Sequence, residues 1–111
     1  GSGLGLHART ATGCSAESIG NTALQATFNA ENCRGIATGL GYGLWCGGNA
    51  LNCYGETATG NYGLWVNGTA NTCRGKNNVS AVAKAVHADV AIGCSSAQGI
   101  VEAAQKFLGT P

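Results

Sequence analysis

Apolar positions along this chain fall into short alternating runs. In Gly43-Leu44-Trp45-Cys46 and Gly63-Leu64-Trp65-Val66, one residue in two is aliphatic or thiol. Period-two alternation predicts strands, with Leu44, Cys46, Leu64 and Val66 facing inward and Trp45 and Trp65 outward. Ala23-Leu24-Gln25-Ala26 and Ala85-Val86-His87-Ala88 are weaker copies of the same run.

The runs recur at a fixed distance. Cys14, Cys33, Cys53, Cys73 and Cys94 are separated by 19, 20, 20 and 21 residues. Each central unit goes from Cys through Gly-Leu-Trp to the next Cys. Near the ends, Leu6-His7-Ala8-Arg9-Thr10-Ala11-Thr12-Gly13-Cys14 parallels Val86-His87-Ala88-Asp89-Val90-Ala91-Ile92-Gly93-Cys94. A period near 20 without a leucine-rich pattern predicts one coil of a β-solenoid per repeat. Stacked coils put equivalent residues about 4.8 Å apart. The five cysteines then form an inward ladder of small, apolar side chains. Gly35, Gly55, Gly75, Gly43 and Gly63 are expected at corners that need positive φ.

Stacking also predicts outward columns. One reads His7, Gln25, Trp45, Trp65, His87. A second, just after the cysteines, reads Ser15, Arg34, Tyr54, Arg74, Ser95. Tyr42 and Tyr62 form a pair near a corner. The segment 97–111 leaves the pattern; as a helical turn or a final strand it is expected to cap the last coil, because solenoids need terminal caps. Nothing comparable precedes Leu4, so the first coil is expected to expose strand edges that invite stacking.

The pattern Cys-x-Gly…Gly-x-Gly-Leu-Trp…Asn-Cys resembles the Cys-Tyr-Gly repeats of right-handed parallel β-helix proteins. Its copies here are Asn32-Cys33-Arg34-Gly35, Asn52-Cys53-Tyr54-Gly55 and Thr72-Cys73-Arg74-Gly75, and Lys106-Phe107-Leu108-Gly109-Thr110-Pro111 looks like a terminus of that family. The resemblance implies a right-handed parallel β-helix and a place in large, secreted or cell-surface bacterial proteins. It implies little about activity, since a fold does not carry a function.

Composition narrows the classes. The chain has 111 residues, 19 of them Gly, and only 10% charged residues. A net charge of +1 gives no footprint for nucleic acid. No apolar run approaches the ~20 residues of a membrane-spanning helix, so no membrane insertion is expected. Residues 1–3 read as a cloning scar or flexible end, 4–96 as solenoid coils and 97–111 as the cap.

Candidate chemistry is sparse. In-register cysteines have parallel side-chain vectors, which is poor disulfide geometry. Reduced core thiols are expected, with Cys46, off the ladder, the residue that a disulfide would involve. No C-x-x-C pair offers a zinc site, and no cofactor is expected. His7 and His87 occupy equivalent positions and read as outward polar residues, or as halves of a site across a head-to-tail joint. Glu17 and Glu56 lie two coils apart, compatible in distance with a glycosidase pair but otherwise unsupported. Thr10, Thr12, Thr38, Thr57, Thr59 and Thr69 raise the possibility of an ice-binding face, but Thr38, Thr57 and Thr59 are out of register for one. Asn67-Gly68-Thr69 and Asn78-Val79-Ser80 fit the glycosylation pattern.

Trp45 and Trp65, flanked by Tyr42 and Tyr62, are the strongest functional candidates. They read as an interface between chains, as a sugar-stacking platform, or as corner packing. Arg34-Tyr54-Arg74 reads as a cation–π ladder or a ligand clamp. The expectation is a right-handed parallel β-solenoid of about five ~20-residue coils. It is a non-enzymatic extracellular module, self-associating into a fibre, stalk or surface assembly, or joining an adjoining solenoid. The alternative is a carbohydrate-binding module using Trp45, Trp65, Tyr42 and Tyr62; a polysaccharide-degrading enzyme or an ice-binding protein ranks below both.

Overall fold

The computed structural model describes residues 6–19, 22–39, 41–80, 83–107 and 110, with the side chain of Leu6 left aside. The proposed scar at 1–3 lies outside them. No helix occurs among the described residues. The first two coils hold β1 (Leu6–Thr12) with β2 (Ser15–Ser18), then β3 (Leu24–Glu31) with β4 (Arg34–Ala37). The third holds β5 (Leu44–Cys46), β6 (Ala50–Leu51) and β7 (Tyr54–Thr57). The fourth holds β8 (Tyr62–Val66), β9 (Thr69–Asn71) and β10 (Arg74–Asn77). β11 (Lys84–Ile92) and β12 (Ser95–Gln98) make the fifth, and β13 (Ile100–Phe107) follows.

Every strand pairing is parallel, as a solenoid requires. Each coil has three faces. The first carries β5, β8 and the leading halves of β1, β3, β11 and β13. The second carries β6, β9 and the trailing halves of those long strands. The third is the five-stranded sheet β2-β4-β7-β10-β12. From Cys14 to Cys94 the chain makes four turns.

Small residues make the core narrow. Leu24, Leu44, Leu64, Val86 and Val101 form one inward column, and Ala11, Ala30, Ala50, Ala70 and Ala91 another. All six cysteines are free thiols. Each ladder thiol donates to the carbonyl two residues earlier: Cys33 to Glu31 at 3.2 Å, Cys53 to Leu51 at 3.3 Å, Cys73 to Asn71 at 3.4 Å. A thiol is a weak donor that costs little to bury when so placed.

The corners correct one expectation. Positive φ belongs to the residue before each ladder cysteine: Gly13, Asn32, Asn52, Thr72 and Gly93. Asn tolerates this left-handed conformation better than most residues. The glycine after the cysteine answers a close approach instead. A Cβ on Gly35 would stand 1.9 Å from the Gly43 carbonyl oxygen, and one on Gly55 would stand 2.3 Å from that of Gly63. Glycine there lets the first and third faces touch backbone to backbone.

Buried polar side chains tie down the connections. Ser18, Thr57 and Asn77 share one register column on the third face. Thr57 Oγ1 donates to the Gly41 carbonyl at 2.7 Å and accepts from the Gly60 amide at 2.9 Å. Asn77 Nδ2 donates to Lys84 O at 2.9 Å and Asn61 O at 3.1 Å, and Oδ1 accepts from Val79 N at 3.0 Å.

The tail takes the strand alternative. β13 pairs β11 in parallel, with a register shift between Lys84 and Val86, covering the last cysteine-bearing coil while extending the first two faces to Phe107. Strand stacking therefore continues past 96 into the segment 97–111, where β13 adds a further rung over the last cysteine-bearing coil.

Candidate functional site

The columns expected on the outer surface form as aligned. On the first face His7 pairs with Gln25, Gln25 with Trp45, Trp45 with Trp65, and Trp65 with His87. The indoles of Trp45 and Trp65 stack at 5.4 Å with planes 1° apart. His87 continues the stack at 5.4 Å and 13°. Tyr42 meets Tyr62 edge to face at 5.5 Å, and Tyr62 leans on His87 at 5.3 Å. Strand alternation aims these rings outward, and the one-rung spacing forces them together.

The stack ends on a residue outside the expected set. Glu102, the next member of the column, holds His87 Nδ1 at 2.7 Å through Oε1 and pairs with Lys84 Nζ through Oε2. Lys84 and then His87 hold the Glu102 carboxyl below its ordinary value, and Glu102 in turn raises Lys84. The signal for Glu102 lay in Val101-Glu102-Ala103, which repeats the alternation of Val86-His87-Ala88. His7, at the other end, has its Nε2 3.3 Å from Thr27 Oγ1. The two histidines thus have different partners within the chain.

On the third face Ser15, Arg34, Tyr54, Arg74 and Ser95 are in register. The Arg34 guanidinium lies over the Tyr54 ring at 5.4 Å. Tyr54 Oη donates to Glu56 Oε1 at 2.7 Å, and Asn78 Nδ2 donates to Glu56 Oε2 at 3.1 Å. Burial, then that bond to Glu56, pushes the Tyr54 hydroxyl up to about 12. Glu17 and Glu56 stand in one column with Ile36 between them. Both Glu56 oxygens are engaged, a poor starting point for an acid–base pair.

The thiols differ by burial and by their neighbours. Burial raises Cys33 and Cys46, and the neighbouring thiols of Cys53 and Cys94, together with burial, raise Cys73. The Cys73 thiol in turn lowers Cys53 and Cys94 through its hydrogen bonds, so the ladder divides into raised and lowered thiols. Cys46 donates to Asn49 O at 3.2 Å. Among the described residues no group of three His, Cys, Asp or Glu side chains is placed to hold a metal ion.

A groove of about 490 Å³ lies on the second face between two outward columns. One wall contains Thr10, Asn29, Asn49 and Thr69; Ala30 and Ala50 form the floor. Of these, the sequence singles out only Thr10 and Thr69, as members of a candidate ice-binding set; nothing in it marks Asn29 or Asn49.

No family model, curated protein or solved structure matches the chain.

Proposed function

We propose that the chain is a non-enzymatic structural β-solenoid module that associates through its β1 end. The observation that carries this reading is the unequal finish of the two ends. Among the described residues nothing pairs the outer edge of β1, while Ala8 and Ala11 stand in the inward columns of Ala26 and Ala30. Cys14, the ladder member there, is partly exposed. An unpaired edge over a small, apolar core is a template for β-augmentation, in which main-chain hydrogen bonds supply affinity.

The β13 end is built against the same contact. Lys106 pairs with Ala91 and so occupies the inward alanine column, where a further coil would bury its charge. Inward charges at an edge are a known block to strand addition. Thr110 Oγ1 sits 3.1 Å from Cys94 N and 2.6 Å from Phe107 O. One open end favours a two-fold pair of copies, or junction with adjoining solenoid coils, over a head-to-tail fibre. The stalk or surface assembly is thus the form supported best, in the secreted or cell-surface bacterial setting that the Cys-Tyr-Gly likeness suggests.

The aromatic column fits a structural part in this module. Trp65 has both ring faces taken, by Trp45 and His87. A sugar-stacking platform needs an open face, so the column reads as a clasp between coils.

Sedimentation velocity over a wide concentration range tests the proposal. Dimer is expected to grow in with concentration, and Ala8→Lys, which copies the Lys106 device at the other end, is expected to abolish it. A protein that stays at 11.0 kDa throughout, or a folded Ala8→Lys variant that dimerises unchanged, would overturn it.

A further inference from the structure

We propose that the groove on the second face is a binding channel for a neutral, hydroxyl-rich oligosaccharide lying along the solenoid axis. Strand geometry makes the channel. Residues i and i+2 of each rung point outward about 7 Å apart, and successive rungs add about 4.8 Å along the axis. The inward residue between them is alanine at Ala30, Ala50 and Ala70, so the floor is backbone and the walls are side chains.

Apart from Leu51, an apolar patch between Glu31 and Asn71, the walls are polar and ordered. Asn29 Oδ1 accepts from Asn49 N at 3.1 Å, and Asn49 Oδ1 accepts from Thr69 N at 2.9 Å. Asn71 Oδ1 accepts from Thr72 Oγ1 at 2.7 Å. Each amide has its oxygen engaged, which fixes the orientation of its plane and leaves the NH2 group to donate outward. The backbone makes room for this: a Cβ on Gly68 would stand 2.5 Å from Asn49 Oδ1, and one on Gly48 would stand 3.0 Å from Asn29 Oδ1. Hydroxyls of Thr10, Thr12 and Thr69 donate or accept, and Glu31 supplies a strong acceptor. Interleaved donors and acceptors suit vicinal hydroxyls.

The charge selects among glycans. Glu31 is the one ionisable group lining the channel, so an acidic glycan meets repulsion there and a neutral one does not. The three-rung span of the asparagines demands an oligomer rather than a single sugar. Thr10 and Thr12 lie on β1, so the channel abuts the proposed edge contact; the monomeric Ala8→Lys variant keeps both residues and is expected to bind as well.

Heteronuclear NMR titration of the intact chain tests the channel, with cello-, xylo- and chito-oligosaccharides as probes and an oligogalacturonate as charged control. At least one neutral probe is expected to shift the side-chain NH2 signals of Asn29, Asn49 and Asn71 while leaving the indole N–H signals of Trp45 and Trp65 in place. Thr10→Val with Thr69→Val, which keeps side-chain volume and backbone bonds, is expected to weaken binding about tenfold through the lost hydroxyls. Thr12→Val alone gives a smaller loss and serves if the pair fails to fold. The proposal is overturned by silence from every neutral probe at millimolar concentration or by shifts at the indoles instead. Preference for the oligogalacturonate, or unchanged affinity in the folded valine variants, would overturn it equally.

Discussion

Cys14 and Cys94 fill the same corner at opposite ends of one ladder. Each follows a glycine with positive φ and donates its thiol to the carbonyl two residues back. Cys94 is nevertheless 2% exposed, whereas Cys14 is partly open to solvent. The repeat therefore does not decide how a coil ends. What differs is chemistry outside the repeat: at one end Thr110 over the Cys94 amide and Lys106 in the alanine column, at the other, among the described residues, a β1 edge with no pairing strand. A parallel stack of small side chains has no intrinsic stop, because every rung offers the next one the same edge. Termination must come from a residue that cannot be stacked upon.

The largest expected difference between the ends is energetic. Cys94→Ala leaves a void in covered core and is expected to cost about 1–2 kcal/mol, while Cys14→Ala, at a site that solvent already reaches, costs less than about half of that. Urea denaturation of the two variants reads the gap directly; equal losses would erase the distinction. Alkylation sharpens it further, since Cys14 is expected to react first and the five covered thiols only after unfolding.

A smaller effect belongs to the cap. Thr110→Val keeps volume but removes the hydroxyl beside Cys94 N. A loss of about 1 kcal/mol is expected, from an amide left without its partner. The same denaturation assay checks it, and no loss would mean that the hydroxyl does not finish the ladder.

The smallest is electrostatic and also sits at the β13 end. Glu102 has a folded-state pKa held below the unfolded carboxylate value of about 4.3. Its contribution is therefore present above that value and is lost as pH falls through the lower, folded one. The group is part-exposed, so solvent screens it and the change in stability is slight. Because His87 carries the contact from Glu102 to Trp65, tryptophan fluorescence is the readout: an acid step below about pH 4 in the native chain, absent in Glu102→Gln. A step that survives the substitution would place the titration elsewhere.

Much of the architecture was legible because it is periodic. The cysteine spacing placed each cysteine-bearing coil, and the alternation around Leu44-Trp45-Cys46 and Leu64-Trp65-Val66 assigned faces that match the observed register. The column from His7 to His87 followed from those two facts. What was missed is what the period does not carry. Asn32, Asn52 and Thr72 look like polar filler before a cysteine, yet they turn the corner. Gly35 and Gly55 look like corner residues, yet they answer a backbone contact across the core that no local pattern reveals. Lys106 reads as a surface lysine until the pairing with Ala91 shows which column it occupies. The channel on the second face escaped for a similar reason, since its walls join residues twenty apart whose amide orientation depends on backbone bonds between rungs.

The central claim is that association runs through the β1 edge and not through β13. Residue-resolved hydrogen exchange at rising protein concentration tests it most directly. Amides along Leu6–Thr12 are predicted to gain protection as association covers that edge, while those along Ile100–Phe107 stay unchanged. Protection that grows at Ile100–Phe107 instead, or equally at both ends, would contradict the account.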